Sequence, residues 1–331
     1  MSLADATTTG APGTSRFLDL SALGALAHMR LVARRRIDGT FSGRHRSRQQ
    51  GGAAEFADYR EYSEGEDLRR LDWKVLARTG RAYIRLFQDE TNLNCTLAID
   101  ASHSMLFAGA GAPSRKGGAP ASSRAKAPPY RDGAPNLSKL EYAQYLATAF
   151  SHLISRQQDQ VGLALLSAGL ADLHPPGGRA THIKSIQRAI ETIATQPATD
   201  LATGLRDLFQ RLTRRGVLVV MSDFLVDDLD PLFAAARLFR HKSWEIVLLH
   251  LIHPDEERLP PGQAYRFEGM ENDGRIDASP QDVRAMYVEL FEAHCRRVRE
   301  MALASGCDYR RVSTATPYLE TLGEFLVERS G

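Results

Sequence analysis

Residues 93–104 read LNCTLAIDASHS, and residues 217–224 read VLVVMSDF. Each is an aliphatic run that ends on a carboxylate, Asp100 in one case and Asp223 in the other. Short apolar runs without polar alternation suit strands buried on both faces, as in a parallel sheet covered by helices. The segments around them alternate accordingly. Residues 136–158 and about 180–195, 201–214 and 229–240 carry helical periodicity, whereas 161–167, 170–175, 244–252 and 308–312 read as strands. Ala168-Gly169 is placed to turn a hairpin, so 170–175 is expected as one antiparallel edge strand. Ser279, Pro280 and Asp282 form a helix start, Gly306 a helix stop, and Thr316-Pro317 opens a last helix. The fold expected is α/β: a doubly wound, mostly parallel sheet with helices on both faces.

Upstream the character changes. Residues 1–16 are small and polar and read as a disordered N-terminus. Residues 17–37 have apolar positions at helical spacing and predict one helix. Residues 38–91, with β-prone pieces such as AYIRLF at 82–87, complete a small N-terminal module spanning 17–91. The α/β domain then covers 92–331. Within it, residues 108–135 are nearly all Ala, Gly, Pro, Ser and basic residues, which cannot bury a core, and read as a flexible insertion. Their Gly-Lys content lacks the order of a phosphate-binding loop.

Composition narrows the class. The 331 residues are 43% hydrophobic and 25% charged, as in ordinary globular chains. No stretch approaches the roughly 20 apolar residues that span a bilayer, and the N-terminus lacks the pattern of a secretory signal. The three cysteines match no metal spacing and read as unpaired thiols of a reducing compartment, so the expected location is cytoplasmic. A net charge of +2 does not mark a nucleic-acid protein. Seven arginines between Arg30 and Arg48 leave a local basic patch, without the aromatic interleaving that single-strand binders use to stack bases.

The chemistry gathers where the strands end. Asp100, Ser102 and Ser104 place one carboxylate and two hydroxyls on a tight turn after strand 93–99. Asp223 follows the most aliphatic strand, and Thr199 precedes a helix, where its hydroxyl is a cap candidate. All three loops are expected at the carboxyl edge of one sheet, where open α/β folds bind ligands. Five oxygen donors without His or Cys suit a hard cation, Mg2+ with Mn2+ as a possible substitute. Capping of turns and helices is the plainer role for the same groups. His103 lies in the loop, but its nitrogen suits magnesium poorly. His253-Pro254-Asp255-Glu256-Glu257 reads as an acidic, solvated turn, with a second metal site as the alternative. No nucleophile elbow or zinc-protease motif is present, so no enzymatic activity is expected.

The order D-x-S-x-S, a Thr before a helix, and Ser-Asp after a buried strand resembles the metal-ion-dependent adhesion site of von Willebrand factor A domains. A second resemblance is longer. Gly43-x-His45-x-Ser47, Gly51-Gly52, Glu55-Phe56, Arg60-Glu61-Tyr62, Gly65-Glu66-Asp67-x-Arg69-Arg70-Leu71-Asp72-Trp73 and Ala77-Arg78 look like the signature of the bacterial family catalogued as domain of unknown function 58. It runs from about 35 to 325, departing at Glu66, where a second Asp is more usual.

The resemblance implies an accessory protein beside a MoxR-type AAA+ ATPase, with the A-like domain as a magnesium-dependent protein-binding module. The partner would supply an acidic residue to the ion, and neither nucleic acid nor a membrane span is expected. Within the signature, Arg60, Arg69 and Arg78 are expected to pair with Asp67, Asp72 or Glu61, with Trp73 as a packing anchor; a docking surface is the alternative. Two further readings stay open. One is a metal-dependent phosphoesterase using the same ion with His103 as base. The other is nucleic-acid binding through residues 30–48.

Overall fold

The computed structural model describes residues 15–26, 28–33, 55–62, 71–88, 93–109, 137–197, 200–259, 265–268, 275–278 and 280–330. Six strands form the main sheet: β3 (Asn94–Asp100), β4 (Gln160–Leu166), β5 (Leu170–Gly177), β6 (Val217–Ser222), β7 (Glu245–Ile252) and β10 (Asp308–Ser313). Their order is β10-β7-β6-β3-β4-β5. All neighbours are parallel except β4 and β5. The connection between that pair passes through Gly169 at φ 146°, a backbone conformation that disfavours any side chain. A doubly wound, mostly parallel sheet with one antiparallel edge is therefore what the chain forms.

The aliphatic runs explain why it forms. Successive side chains on a strand point to opposite faces, so a strand covered twice is apolar over most of its length. Cys95, Leu97 and Ile99 of β3 join one core with Val217, Val219 and Met221 of β6 and Val247, Leu249 and Leu251 of β7. That core is covered by α3 (Lys139–Arg156), α4 (Ala180–Glu191) and α9 (Tyr318–Ser330). The intervening Ala98, Leu218, Val220, Ile246 and Leu248 face a second core. Helices α5 (Leu201–Arg211) and α6 (Leu229–His241), with the end of α8 (Pro280–Ala304), close it.

The chain leaves β3 towards β4 and β5, then returns to lay β6 on the other side of β3. Such a reversal of strand order opens a crevice at the carboxyl ends of the two diverging strands. Here those strands are β3 and β6, with Ile99 opposite Met221.

The single helix expected over 17–37 is not what forms. A short α1 (Leu20–Leu23) and one 3-10 turn precede residues 28–33, which form no helix or strand; residues 27 and 34–37 lie outside the described residues. Phe17, Leu23, Leu26 and Leu31 are each buried in the first core, as in a strap rather than an amphipathic rod. Polar clamps fix the part without regular structure. Gln157 accepts from the Leu31 N–H at 3.1 Å and donates to the Met29 carbonyl at 3.1 Å. At the other end Glu191 accepts from the Arg16 N–H at 2.7 Å.

A separate antiparallel pair, β1 (Glu55–Glu61) with β2 (Tyr83–Gln88), flanks α2 (Trp73–Thr79). Asp72 caps α2, accepting from the N–H groups of Lys74 and Val75. Trp73 is not a packing anchor: it is 61% exposed, because it starts a helix whose inward position is Val75. Arg78 is exposed too and makes no ion pair among the described residues. The pairings expected of Arg60, Asp67 and Arg69, and the arginines 34–48, lie outside the described side chains. So do residues 110–135 of the expected insertion. Two short elements had no counterpart in the sequence reading, the hairpin β8 (Tyr265–Glu268) and β9 (Arg275–Ala278) and the helix α7 (Pro254–Arg258). No helix among the described residues is long and apolar enough to cross a membrane.

Candidate metal centre

Asp100 is the last residue of β3 and Ser222 the last of β6, each one residue beyond the paired Ile99 and Met221. Its Oδ1 accepts from the Ser102 N–H at 2.9 Å and its Oδ2 from the Ser222 hydroxyl at 2.6 Å. The hydroxyls of Ser102 and Ser104 lie 2.9 Å apart. A 3-10 turn, His103–Leu106, bends the chain so that the two serines meet. Gln196 holds this turn, exchanging backbone hydrogen bonds with Ala101 at 2.9 Å and His103 at 3.0 Å.

Asp223 follows directly on the neighbouring strand. The Lys139 ammonium donates to its Oδ2 at 2.7 Å, the Leu225 N–H to its Oδ1 at 3.2 Å, and the Ser104 side chain also bonds it. The next residue, Phe224, has φ 49°, strained for a side chain of this size. The strain is held from three sides. Its N–H donates to Ser222 Oγ, its carbonyl accepts from Val226, and His294 Nε2 of α8 lies 3.1 Å from that carbonyl.

Four of the five expected metal ligands, Asp100, Ser102, Ser104 and Asp223, are thus brought together. Thr199 lies outside the described residues. Its neighbour Asp200 donates its N–H to the Ser167 carbonyl, and Asp200, rather than Thr199, caps α5 by accepting from the Thr203 N–H at 2.8 Å. A carboxylate two bonds from the backbone is a stronger cap than the preceding hydroxyl. The His103 imidazole makes no hydrogen bond to the cluster among the described residues.

Burial and charge set the electrostatics. Asp100 is 1% exposed, and desolvation, then the nearby Asp223 charge, push its pKa up to about 7 against the bonds from Ser222 and Ser102. Burial acts on Asp223 as well, but the Lys139 ammonium outweighs it and holds this carboxyl below the usual range. Lys139 stays charged, because Asp223 and Glu256 together outweigh its own desolvation. No cation pairs with Asp100 among the described residues.

The donor set therefore fits a hard divalent ion. It offers one buried carboxylate without a counter-charge among the described residues, a second that is shared, and serine hydroxyls beside them. Groups of three or more His, Cys, Asp or Glu placed to hold a metal do not occur among the described residues, so hydroxyls must complete any shell. A surface depression lined by Ser155, Gln158, Gln160, Gly177, Arg179 and His182 lies at the amino end of β4, away from these carboxylates.

The segment 253–257 is not a solvated acidic turn. It forms α7, with His253 and Glu256 in a reciprocal cap, and His253 is buried. Glu256 turns inward to the Lys139 ammonium. Lys139 and Glu256 were not among the expected site residues. The one cue to Lys139 is its place: Ser138 and Glu141 form a capping box that puts a lysine at the first helical position, where the helix dipole disfavours a cation.

The family described as "Protein of unknown function DUF58" matches residues 58–119 and 128–297, most of the chain. The chain belongs to the DUF58 family. The match skips residues 120–127, inside the stretch 108–135. An uncharacterized protein of Mycobacterium tuberculosis is 29% identical to this DUF58 chain over 243 residues, covering 71% of it and 67% of the relative. Among solved structures, the conserved hypothetical protein BatB from Bacteroides thetaiotaomicron covers 72% of the chain and 99% of its own, at 14% identity and TM-score 0.42. The SpRpn10 VWA domain covers 70% and 94% of the two chains, at 11% identity and TM-score 0.34.

Proposed function

We propose that this DUF58 chain is a magnesium-dependent protein-binding module. In this reading Asp100, Ser102, Ser104, Thr199 and Asp223 hold the ion, directly or through water. The observation that carries it is Asp100: a buried carboxylate with its pKa raised to about 7, no cation beside it among the described residues, and three serine hydroxyls around it at the crevice between β3 and β6. Leaving such a group without a counter-charge is costly unless something binds there. A divalent ion supplies an electrophilic centre that still accepts an outside carboxylate, and a partner's Asp or Glu would provide it. Ser222 and the Ser102 N–H orient Asp100, while Lys139 and the Leu225 N–H fix Asp223.

The partner we propose is a MoxR-type AAA+ ATPase, a reading that rests on the family resemblance of residues 43–78. A cytoplasmic location belongs to the same reading, and the three free, buried cysteines agree with it. We favour binding over hydrolysis because His103, the base the phosphoesterase reading would use, has no hydrogen bond to the cluster among the described residues.

The test is co-precipitation of the purified full chain with a purified MoxR-type ATPase, in magnesium, in EDTA, and as Asp100→Ala. Binding only by the unaltered chain in magnesium is expected, with affinity at least a hundredfold lower in the other two arms. Equal affinity in all three arms would sink the adhesion mechanism.

A further inference from the structure

Lys139 has a role that neither the metal ligands nor the helix requires. Its ammonium is fully buried at the first position of α3. It donates to Asp223 Oδ2 at 2.7 Å and to Glu256, and it lies 5.8 Å from the centre of the Phe107 ring. Its backbone N–H donates to the Phe107 carbonyl at 3.2 Å. One residue thus ties together the loop after β3, the loop after β6 and the helix after β7.

Helix stability does not call for a lysine there. Ser138 and Glu141 complete the cap without it, and a cation at the first helical position opposes the dipole. The ion pairs are what retain it. Both oxygens of Asp223 are occupied, one by Lys139 and the other by the Leu225 N–H. A metal ion approaching Asp223 meets a carboxylate that is already engaged, with the buried ammonium, a like charge, beside it.

We propose that Lys139 is a tethered cation that competes with the divalent ion for Asp223, keeping the metal-free centre assembled and its metal affinity low. The inference rests on the metal-binding reading above and adds a regulator to it. The charge count gives its direction. With all three carboxyls ionised, as a nearby divalent ion favours, Asp100, Asp223 and Glu256 set against Lys139 carry two net negative charges, which that ion balances. Without the ammonium, three carboxylates stand in a poorly solvated pocket, and their pull on a divalent ion rises. The site would then fold only with metal. With the ammonium, it stays formed in both states and releases the ion easily, as a reversible contact needs.

The experiment measures Mn2+ binding to the full chain by titration calorimetry and the Tm in EDTA and in Mn2+, for the unaltered protein, Lys139→Met and Glu256→Gln. Lys139→Met should bind Mn2+ at least tenfold more tightly. Its Tm should drop in EDTA and recover in Mn2+ by more than the unaltered chain gains. Glu256→Gln leaves the whole ammonium to Asp223 and should bind Mn2+ several-fold more weakly. A folded Lys139→Met with unchanged or weaker Mn2+ affinity would overturn the proposal and make Lys139 a scaffold residue. If that variant does not fold even in Mn2+, Glu256→Gln decides, and unchanged or tighter binding there overturns it. No Mn2+ binding by the unaltered chain would fail the metal reading itself, whereas binding that Lys139→Met leaves unimproved fails only this one.

Discussion

The two ends of the sheet both bury charge, and they settle it differently. At the amino end, Arg329 of α9 pairs with Glu245 of β7 and with Asp308 of β10, and donates to the Val32 carbonyl. Arg329 and Glu245 are both about 5% exposed or less, and Asp308 keeps a side open to water. A planar guanidinium with its donors spread over three acceptors makes a saturated joint between the sheet, the last helix and the N-terminal strap. At the carboxyl end, one ammonium faces two carboxylates, and a third, Asp100, has hydroxyls but no cation among the described residues. Balanced burial specifies geometry; an unbalanced carboxylate leaves room for a ligand.

The difference can be broken by mutation. Arg329→Met should cost about 3–5 kcal/mol, the usual effect of stranding a buried carboxylate, here Glu245. Urea denaturation measures it, and a loss below about 1 kcal/mol would show the amino end is no structural joint. Metal affinity should not change. Asp100→Asn should do the reverse, removing metal binding while altering metal-free stability by no more than about 1 kcal/mol, since it deletes a charge the fold holds at a cost. If it unfolds the protein instead, Asp100 belongs with Arg329 as structure.

A smaller effect comes from behind the site. His250 of β7 is buried, with Nδ1 2.8 Å from the Tyr309 hydroxyl and its ring against Phe224. Desolvation is the main cause that brings its pKa down from 6.5 to about 3, so the folded protein keeps it neutral. The unfolded chain binds a proton below about pH 6.5 and the folded one does not until far lower. Stability from this group is therefore present above pH 6.5 and lost as pH falls towards 3. Between pH 7 and 5 the loss should be about 2 kcal/mol, and His250→Phe should remove most of that slope in denaturation curves taken at the two values. An unchanged slope would mean the imidazole is not held neutral.

Much of this was legible in the residues. The aliphatic runs at 93–99 and 217–222 announced doubly covered strands, and the groups at their ends announced Asp100, Ser102, Ser104 and Asp223 as neighbours. Lys139 and Glu256 stayed hidden because their meeting depends on tertiary geometry: they are 117 residues apart, joined only once α3 and α7 reach the same crevice. Periodicity misled at 17–37, since the spacing of Phe17, Leu23, Leu26 and Leu31 serves a strap as well as a helix. What the pattern could not convey is that Gln157 takes the backbone bonds of that segment in place of a helix.

Trp73 provides the smallest expected stability effect and the sharpest contrast with its neighbours. In its signature, Asp72 and Leu71 are buried and Val75 faces inward, yet the indole between them is 61% exposed. Large aromatics are seldom left in water without use, and interfaces are rich in them. Because Trp73 supports little packing, Trp73→Ala should change the unfolding free energy by less than about 0.5 kcal/mol. The same variant, tested against the ATPase in magnesium, separates the two uses of the signature. A several-fold loss of affinity at unchanged stability would make α2 a second contact, working beside the metal centre. A stability loss of 2 kcal/mol or more would return Trp73 to the core and leave the carboxyl edge of the sheet as the working surface.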